Sequence, residues 1–260
     1  MTEVLSNPLL VALDMSSAEA AVRTASDLVD VVGGFKIGME LFTGPGPGTV
    51  ALVGDLGAPV FVDVKLHDIP TTVRRSARNL GAIGARWVSV HASGGAEMLS
   101  AAVAGLAEGA AGRPAGVLAV TVLTSLDDKA LAEVGVGTTT AAQTVRLARL
   151  AESAGCEGVV TSPRELVAVG AAAPSLLRVT PGIRPVGVTT DDQRRHTSPA
   201  DAIRHGADLL VVGRPVTKSS NPKAAAAAIV AECATVPRAG RAPVGRVAEV
   251  GEEGKGDATS

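Results

Sequence analysis

The chain has no tyrosine at all, and only three phenylalanines and one tryptophan among its 260 residues. A core of stacked rings is therefore excluded, and the interior must be built from Ala, Val, Leu and Ile. Cysteine is almost as scarce. Cys156 and Cys233 stand far apart in the sequence with no partner motif, which excludes a disulfide framework and a thiolate metal site. Positive charge is not in excess: the formal net charge is −2, so the electrostatic footprint of a nucleic-acid binder is missing. No apolar run approaches the roughly 18 residues of a membrane helix. The opening "MTEVLSNPLL" lacks the basic-then-apolar layout of a signal peptide. These absences predict a reduced, cytoplasmic, soluble protein. What the chain does have is length and apolarity: 260 residues, 46% hydrophobic, suit one large domain or two small ones.

One rhythm runs through it. Short β-rich runs, "LLVALD" (9–14), "FKIG" (35–38), "VFVDVKL" (60–66), "WVSVH" (87–91), "GVLAVTVL" (116–123), "GVVTS" (158–162), "LLRVT" (176–180) and "DLLVVG" (208–213), alternate with Ala-rich helical stretches. A final helix, "NPKAAAAAIVAECATV", follows the eighth run. Eight strand–helix units in this length predict a single (β/α)8 TIM barrel over residues 1–236, with a doubly wound open sheet as the competing fold. The segment 237–260 is rich in Gly and charge with no apolar period, and is predicted to be a disordered tail.

The third run carries charge where a buried strand should not. In "FVDVKLHDIP" (61–70), Asp63, Lys65 and Asp68 interrupt the apolar residues. Alternate side chains of a strand share a face, so Asp63 and Lys65 point with Phe61 into the barrel, while Val62, Val64 and Leu66 point toward the covering helices. Buried charges are costly unless paired. The plain reading is an ion pair between neighbours; the functional reading is an active site, because sites of this fold sit at the C-terminal mouth.

Other strand ends add to that rim. Asp14 closes the first run, or caps the helix that begins near Ser17. Lys36 faces opposite to Phe35 and Ile37, or snorkels. His91 ends the fourth run, as a core histidine or a catalytic one. Thr124 and Ser125 follow the fifth, and Gly213 and Arg214 the eighth. The long loop 181–199, "PGIRPVGVTTDDQRRHTSP", offers Gln193, Arg194 and Arg195 as donors. Arg194 and Arg195 read as ordinary solvated arginines. Arg214, at a strand end beside a Gly N–H, suits a phosphate.

Taken in order, "GFKIGMELF", "FVDVKLHDIPTTV", "VHASGG", "VTVLTS", "TPGIRP", "DDQ" and "VVGRPVTKSSNP" resemble the orotidine 5′-monophosphate decarboxylase family, from about Leu9 to about Val236. The resemblance implies a barrel homodimer that converts orotidine 5′-monophosphate (OMP) to UMP and carbon dioxide with no metal and no organic cofactor. It implies that Lys36, Asp63, Lys65 and Asp68 form an alternating charge array. In that array Lys65 is the proton donor and Asp68 reaches into the partner subunit's site. By the same resemblance, Asp14, Lys36 and Thr72 lie around the ribose or the partner-subunit edge, and Thr124 and Ser125 contact the pyrimidine. Gln193, Gly213 and Arg214 grip the phosphate, with Pro181 and Arg184 among the substrate-binding residues. Two other readings stay open. One is a Mg²⁺-dependent sugar-phosphate decarboxylase or aldolase on the same barrel, although those relatives carry a Glu where this chain has Lys36. The other is a non-catalytic phosphate-binding barrel.

Overall fold

The computed structural model describes residues 5–184 and 197–237. Its strands and helices alternate along the chain: β1 (Leu9–Ala12), α1 (Ala18–Leu28), β2 (Gly34–Gly38), α2 (Met39–Thr43), α3 (Gly48–Gly54), β3 (Val60–Leu66) and α4 (Pro70–Ala82). There follow β4 (Trp87–His91), a 3₁₀ turn (Ala92–Gly94), α5 (Ala96–Ala110), β5 (Gly116–Val120), α6 (Asp128–Glu133) and α7 (Thr140–Ser153). The last third holds β6 (Gly158–Val160), α8 (Leu166–Ala172), β7 (Leu177–Pro181), α9 (Pro199–Arg204), β8 (Leu209–Val212), α10 (Arg214–Thr217) and α11 (Pro222–Ala234). All eight expected strands form. They pair in parallel in chain order, and β1 closes onto β8, with Leu10 opposite Val211. Closure rules out the open doubly wound sheet. Of the proposed tail, all but Pro237 lies outside the described residues.

Local chemistry starts the helices. Ser17, Asp127, Thr139, Ser198 and Asn221 each accept a hydrogen bond from the backbone N–H three residues on, satisfying a donor that the first turn would otherwise leave orphaned. Ser17 therefore caps α1, and the capping role considered for Asp14 is not used. Pro70, Pro199 and Pro222 open α4, α9 and α11, where a missing N–H costs nothing.

The strands have two buried faces, as an all-parallel barrel requires. Val62, Phe35, Ile37, Val88 and Leu210 belong to the layer between barrel and helices. Leu10, Ala12, Phe61, Trp87, Leu118, Val179, Leu209 and Val211 fill the interior. The few rings serve both layers: Trp87 and Phe61 in the interior and Phe35 outside it are among the largest fully buried side chains. At the N-terminal end of the barrel, Glu157 accepts two hydrogen bonds from Arg86, at 2.8 and 2.7 Å, and one from the Trp87 indole at 3.3 Å. Gly116 leaves the space for that carboxylate, since a Cβ there would come within 1.7 Å of Glu157 Oε2. The floor of the barrel is thus plugged, and sites of this fold sit at the opposite, C-terminal end.

Candidate active site

At that opposite end four charges line up across β1, β2 and β3. Lys36 Nζ donates to Asp14 Oδ1 at 2.8 Å and stands 3.8 Å from Asp63 Oδ2. Lys65 Nζ donates to Asp63 Oδ1 at 2.9 Å. Asp63 therefore lies between two ammonium groups, with 15% of its side chain exposed against 11% for Lys36, 31% for Lys65 and 54% for Asp14. Charge alternates from the rim inward and back out, so each buried charge has an opposite neighbour. Gly38 makes room: a Cβ there would meet Lys36 Nζ at 2.8 Å and Asp14 Oδ1 at 2.9 Å. Gly213, at the end of β8, approaches the same carboxylate, its Cβ position lying 3.6 Å from Asp14 Oδ2.

Strict alternation does not explain how Lys65 gets there. β3 and β4 run in register at Phe61–Trp87 and Val62–Val88, but the next pair is Leu66–Val90. Three residues of β3 (Asp63, Val64 and Lys65) thus face one residue of β4, Ser89. Lys65 absorbs the excess by adopting a left-handed conformation with φ 51°, which costs a non-glycine residue roughly 1–2 kcal/mol. Its N–H, taken off the ladder, donates to Ser89 Oγ at 2.9 Å. The Ser89 hydroxyl in turn donates to Asp63 Oδ1 at 2.8 Å. Lys36 holds Asp63, and Lys65 is held by Asp63 through its side chain and by Ser89 through its backbone.

Asp68 lies beyond the strand, exposed, in the turn before α4. It accepts a hydrogen bond from the Ile69 N–H at 2.6 Å and forms no ion pair among the described residues. Thr72, in the first turn of α4, is also exposed, and Ile69 is 66% exposed beside them. His91 ends β4, half-buried. Its ring centroid lies 5.4 Å from that of His67. Burial, then His67 and Lys65, lower its pKa, with Asp63 acting the other way, so at neutral pH it adds no third cation to the cluster.

The phosphate-side candidates gather at the ends of β7 and β8. Pro181 closes β7, and Arg184 is buried, its N–H donating to the Thr197 carbonyl at 3.1 Å. Ile183 and Thr197 form a parallel bridge, so the two flanks of the long loop meet at its base. Gln193, Arg194 and Arg195 lie outside the described residues. Gly213 precedes α10, whose first residue, Arg214, is exposed. Thr124 and Ser125 are exposed in the loop after β5. β5 stops at Val120, short of the expected 123; the Thr121 N–H makes the last ladder bond, to the Val160 carbonyl at 3.2 Å, and the Thr121 hydroxyl donates to the same oxygen at 3.0 Å. Sequence reasoning missed Gly38 and Ser89. The one available signal was a hydroxyl at an interior position of "WVSVH", two residues before His91.

Among the described residues no group of three or more His, Cys, Asp or Glu side chains is arranged to hold a metal ion. No helix there is long and apolar enough to cross a membrane.

Residues 7–229 match the family model described as Orotidine 5′-phosphate decarboxylase / HUMPS family. The chain is 50% identical over 227 residues to an orotidine 5′-phosphate decarboxylase of Anaeromyxobacter sp. (strain K), covering 87% of this chain and 98% of the relative. It is 48% identical over 229 residues to that of Moorella thermoacetica, covering 86% and 91%. Among solved structures, orotidine 5′-phosphate decarboxylase from Lactobacillus acidophilus superposes with a TM-score of 0.78 at 37% identity, covering 88% of this chain and 99% of that one. An uncharacterized conserved protein from Geobacillus kaustophilus gives 0.77 at 34%, covering 87% and 100%.

Proposed function

Because the chain belongs to the orotidine 5′-phosphate decarboxylase / HUMPS family, we infer that it decarboxylates OMP to UMP and carbon dioxide, with Lys65 as the proton donor. It is a carboxy-lyase of pyrimidine nucleotide synthesis, acting in the last step of de novo UMP formation. The observation that carries the assignment of Lys65 is its ammonium fixed 2.9 Å from Asp63 at the C-terminal end of the barrel.

The chemistry asks for such a group. The bond from C6 of the pyrimidine to its carboxylate breaks heterolytically, carbon dioxide leaves, and the electron pair stays on C6 in an orbital with no conjugated sink. A fixed cation beside C6 stabilises that pair as it develops. The Lys65 N–H bond then breaks, a C6–H bond forms, and the neutral amine regains a proton from solvent. Asp63 beside the departing carboxylate disfavours the ground state. Two like charges about 4 Å apart at an effective dielectric near 20 repel by about 4 kcal/mol. If fully relieved, that repulsion is worth about three decades of rate. With two ammonium groups already neutralising Asp63, the relief is smaller, and the preorganised Lys65 cation is the larger contribution.

In this reading Asp14, Lys36 and Thr72 lie around the ribose or the partner-subunit edge, and Thr124 and Ser125 meet the pyrimidine. Gly213, Arg214 and Gln193 take the phosphate, flanked by Pro181 and Arg184. The protein is a cytoplasmic homodimer, and Asp68 completes the partner's site. No metal or organic cofactor takes part, and Lys36 on β2 stands where the metal-dependent alternative needs a carboxylate. The test is spectrophotometric: OMP consumption by the wild-type protein in EDTA, against Lys65→Ala. Turnover in EDTA by wild type and none by the variant is expected. An active Lys65→Ala protein ends the proton-donor assignment, and loss of wild-type activity in EDTA ends the cofactor-free one.

A further inference from the structure

We propose that Ser89 is a positioning residue for the decarboxylation, one hydroxyl that fixes both the backbone of Lys65 and the carboxylate of Asp63. The inference rests on the roles given to those two residues above. Ser89 is fully buried in the middle of β4 and faces the barrel interior, where Trp87 lies on the same strand face. Its register partner on β5 is Leu118.

The geometry forms a closed circuit. The Lys65 N–H donates to Ser89 Oγ at 2.9 Å, the Ser89 O–H donates to Asp63 Oδ1 at 2.8 Å, and Lys65 Nζ donates to the same Oδ1 at 2.9 Å. A hydroxyl suits this position because it accepts and donates at once. The skipped register between Val62–Val88 and Leu66–Val90 leaves the Lys65 N–H without a ladder carbonyl, and Ser89 Oγ takes that carbonyl's place. A buried N–H left without a partner is unfavourable, so the hydroxyl stabilises the left-handed Lys65 that the bulge requires. The direction in which the Lys65 side chain leaves the strand follows from that backbone conformation. Ser89 makes no claim on the phosphate-side residues, which lie on the far side of the barrel at the ends of β7 and β8.

The consequence is a split in kinetics. Loss of the hydroxyl moves the reacting ammonium without touching the groups that grip the nucleotide. A misplacement of about 1 Å at the reacting atoms can lower the rate by about a hundredfold. The experiment measures kcat and KM for OMP, and thermal unfolding, in Ser89→Ala and in the isosteric pair Ser89→Thr and Ser89→Val, with Lys65→Ala as control. Ser89→Ala and Ser89→Val should lose about a hundredfold in kcat with KM within about threefold of wild type, whereas Ser89→Thr should keep kcat within about tenfold. A Ser89→Ala enzyme with wild-type kcat, or equal kcat in the Thr and Val proteins, overturns the proposal. Should the Val protein not fold, Ser89→Ala, which removes a single oxygen, decides in its place against Ser89→Thr. The control separates the failures: an active Lys65→Ala protein refutes the reading of the site, whereas an inactive one beside a fully active Ser89→Ala refutes only the role of Ser89.

Discussion

Asp63 is the carboxylate on which the cations of the site converge, Lys65 at 2.9 Å and Lys36 at 3.8 Å. The proposed phosphate end works differently. Arg214 is exposed at the start of α10, and the fork geometry of a guanidinium matches phosphate oxygens. Charge-assisted hydrogen bonds contribute about 1.5–3 kcal/mol, equivalent to roughly ten- to a hundredfold in Kd. Arg214→Ala should therefore weaken UMP binding by that factor and leave uridine binding nearly unchanged. Titration calorimetry with both ligands checks this, and equal losses would remove Arg214 from the phosphate site. The two cysteines stand apart from this chemistry: both are buried and neither is disulfide-bonded, and burial pushes the Cys156 thiol up to about 12.

Two elements depend on glycine for their spacing. α5 lies so close to α4 that a Cβ on Gly105 would come within 2.1 Å of the Arg74 carbonyl oxygen, and one on Gly109 within 1.9 Å of that of Arg78. The clashing atoms are backbone, so neither helix can yield by turning a side chain. Gly109→Ala should separate the helices and destabilise the protein by about 1–3 kcal/mol, lowering Tm by roughly 2–4 °C per kcal/mol for a domain of this size. Thermal unfolding measures it, and an unchanged Tm would mean that the helices have slack. Arg74 and Arg78, at 3.5 and 3.3 Å from Glu108, also join the helices, but half-exposed pairs of this kind are worth at most about 1 kcal/mol. A surface cavity of about 330 Å³ lined by Thr71, Arg74, Arg75, Arg78 and Glu108 lies on this face and shares no residue with the charge cluster.

At the scale of the assembly the question is whose site Asp68 serves. In a two-fold dimer the same patch meets itself, so each subunit would lend Asp68 to the other. Asp68 is exposed, and among the described residues its side chain accepts a hydrogen bond from the Ile69 N–H at 2.6 Å and forms no ion pair. Mixing Lys65→Ala with Asp68→Ala homodimers, each inactive or badly impaired, tests the arrangement. In the hybrid, one site carries both lesions and the other draws Lys65 and Asp68 from different chains and is wild type throughout. Activity should return on subunit exchange to about half the wild-type value per hybrid dimer, because one of its two sites is intact. Confirmed hybrids without activity would mean that Asp68 serves its own barrel.

The eight strands and the inward face of Asp63 could be read from the sequence because both depend on local pattern. Short Val- and Leu-rich runs between Ala-rich stretches specify β/α units, and a period of two assigns faces. The interior position of Lys36, opposite Phe35 and Ile37, followed from the same rule. That rule names the right face for Lys65 but for an incomplete reason. Its position depends on the register of β3 against β4, which is set by pairing between residues more than twenty positions apart. The skipped register, the left-handed φ of 51° at Lys65 and the Ser89 hydroxyl that takes the released N–H appear only once the two strands are side by side. The space that Gly38 leaves for the Lys36–Asp14 pair is of the same kind, since it concerns β2 and the end of β1 together. Periodicity determined that Lys36, Asp63 and Lys65 would face the barrel interior. Closure of the barrel decided which of them would touch, because ion pairs and ladder bonds are fixed by distances across the chain and not along it.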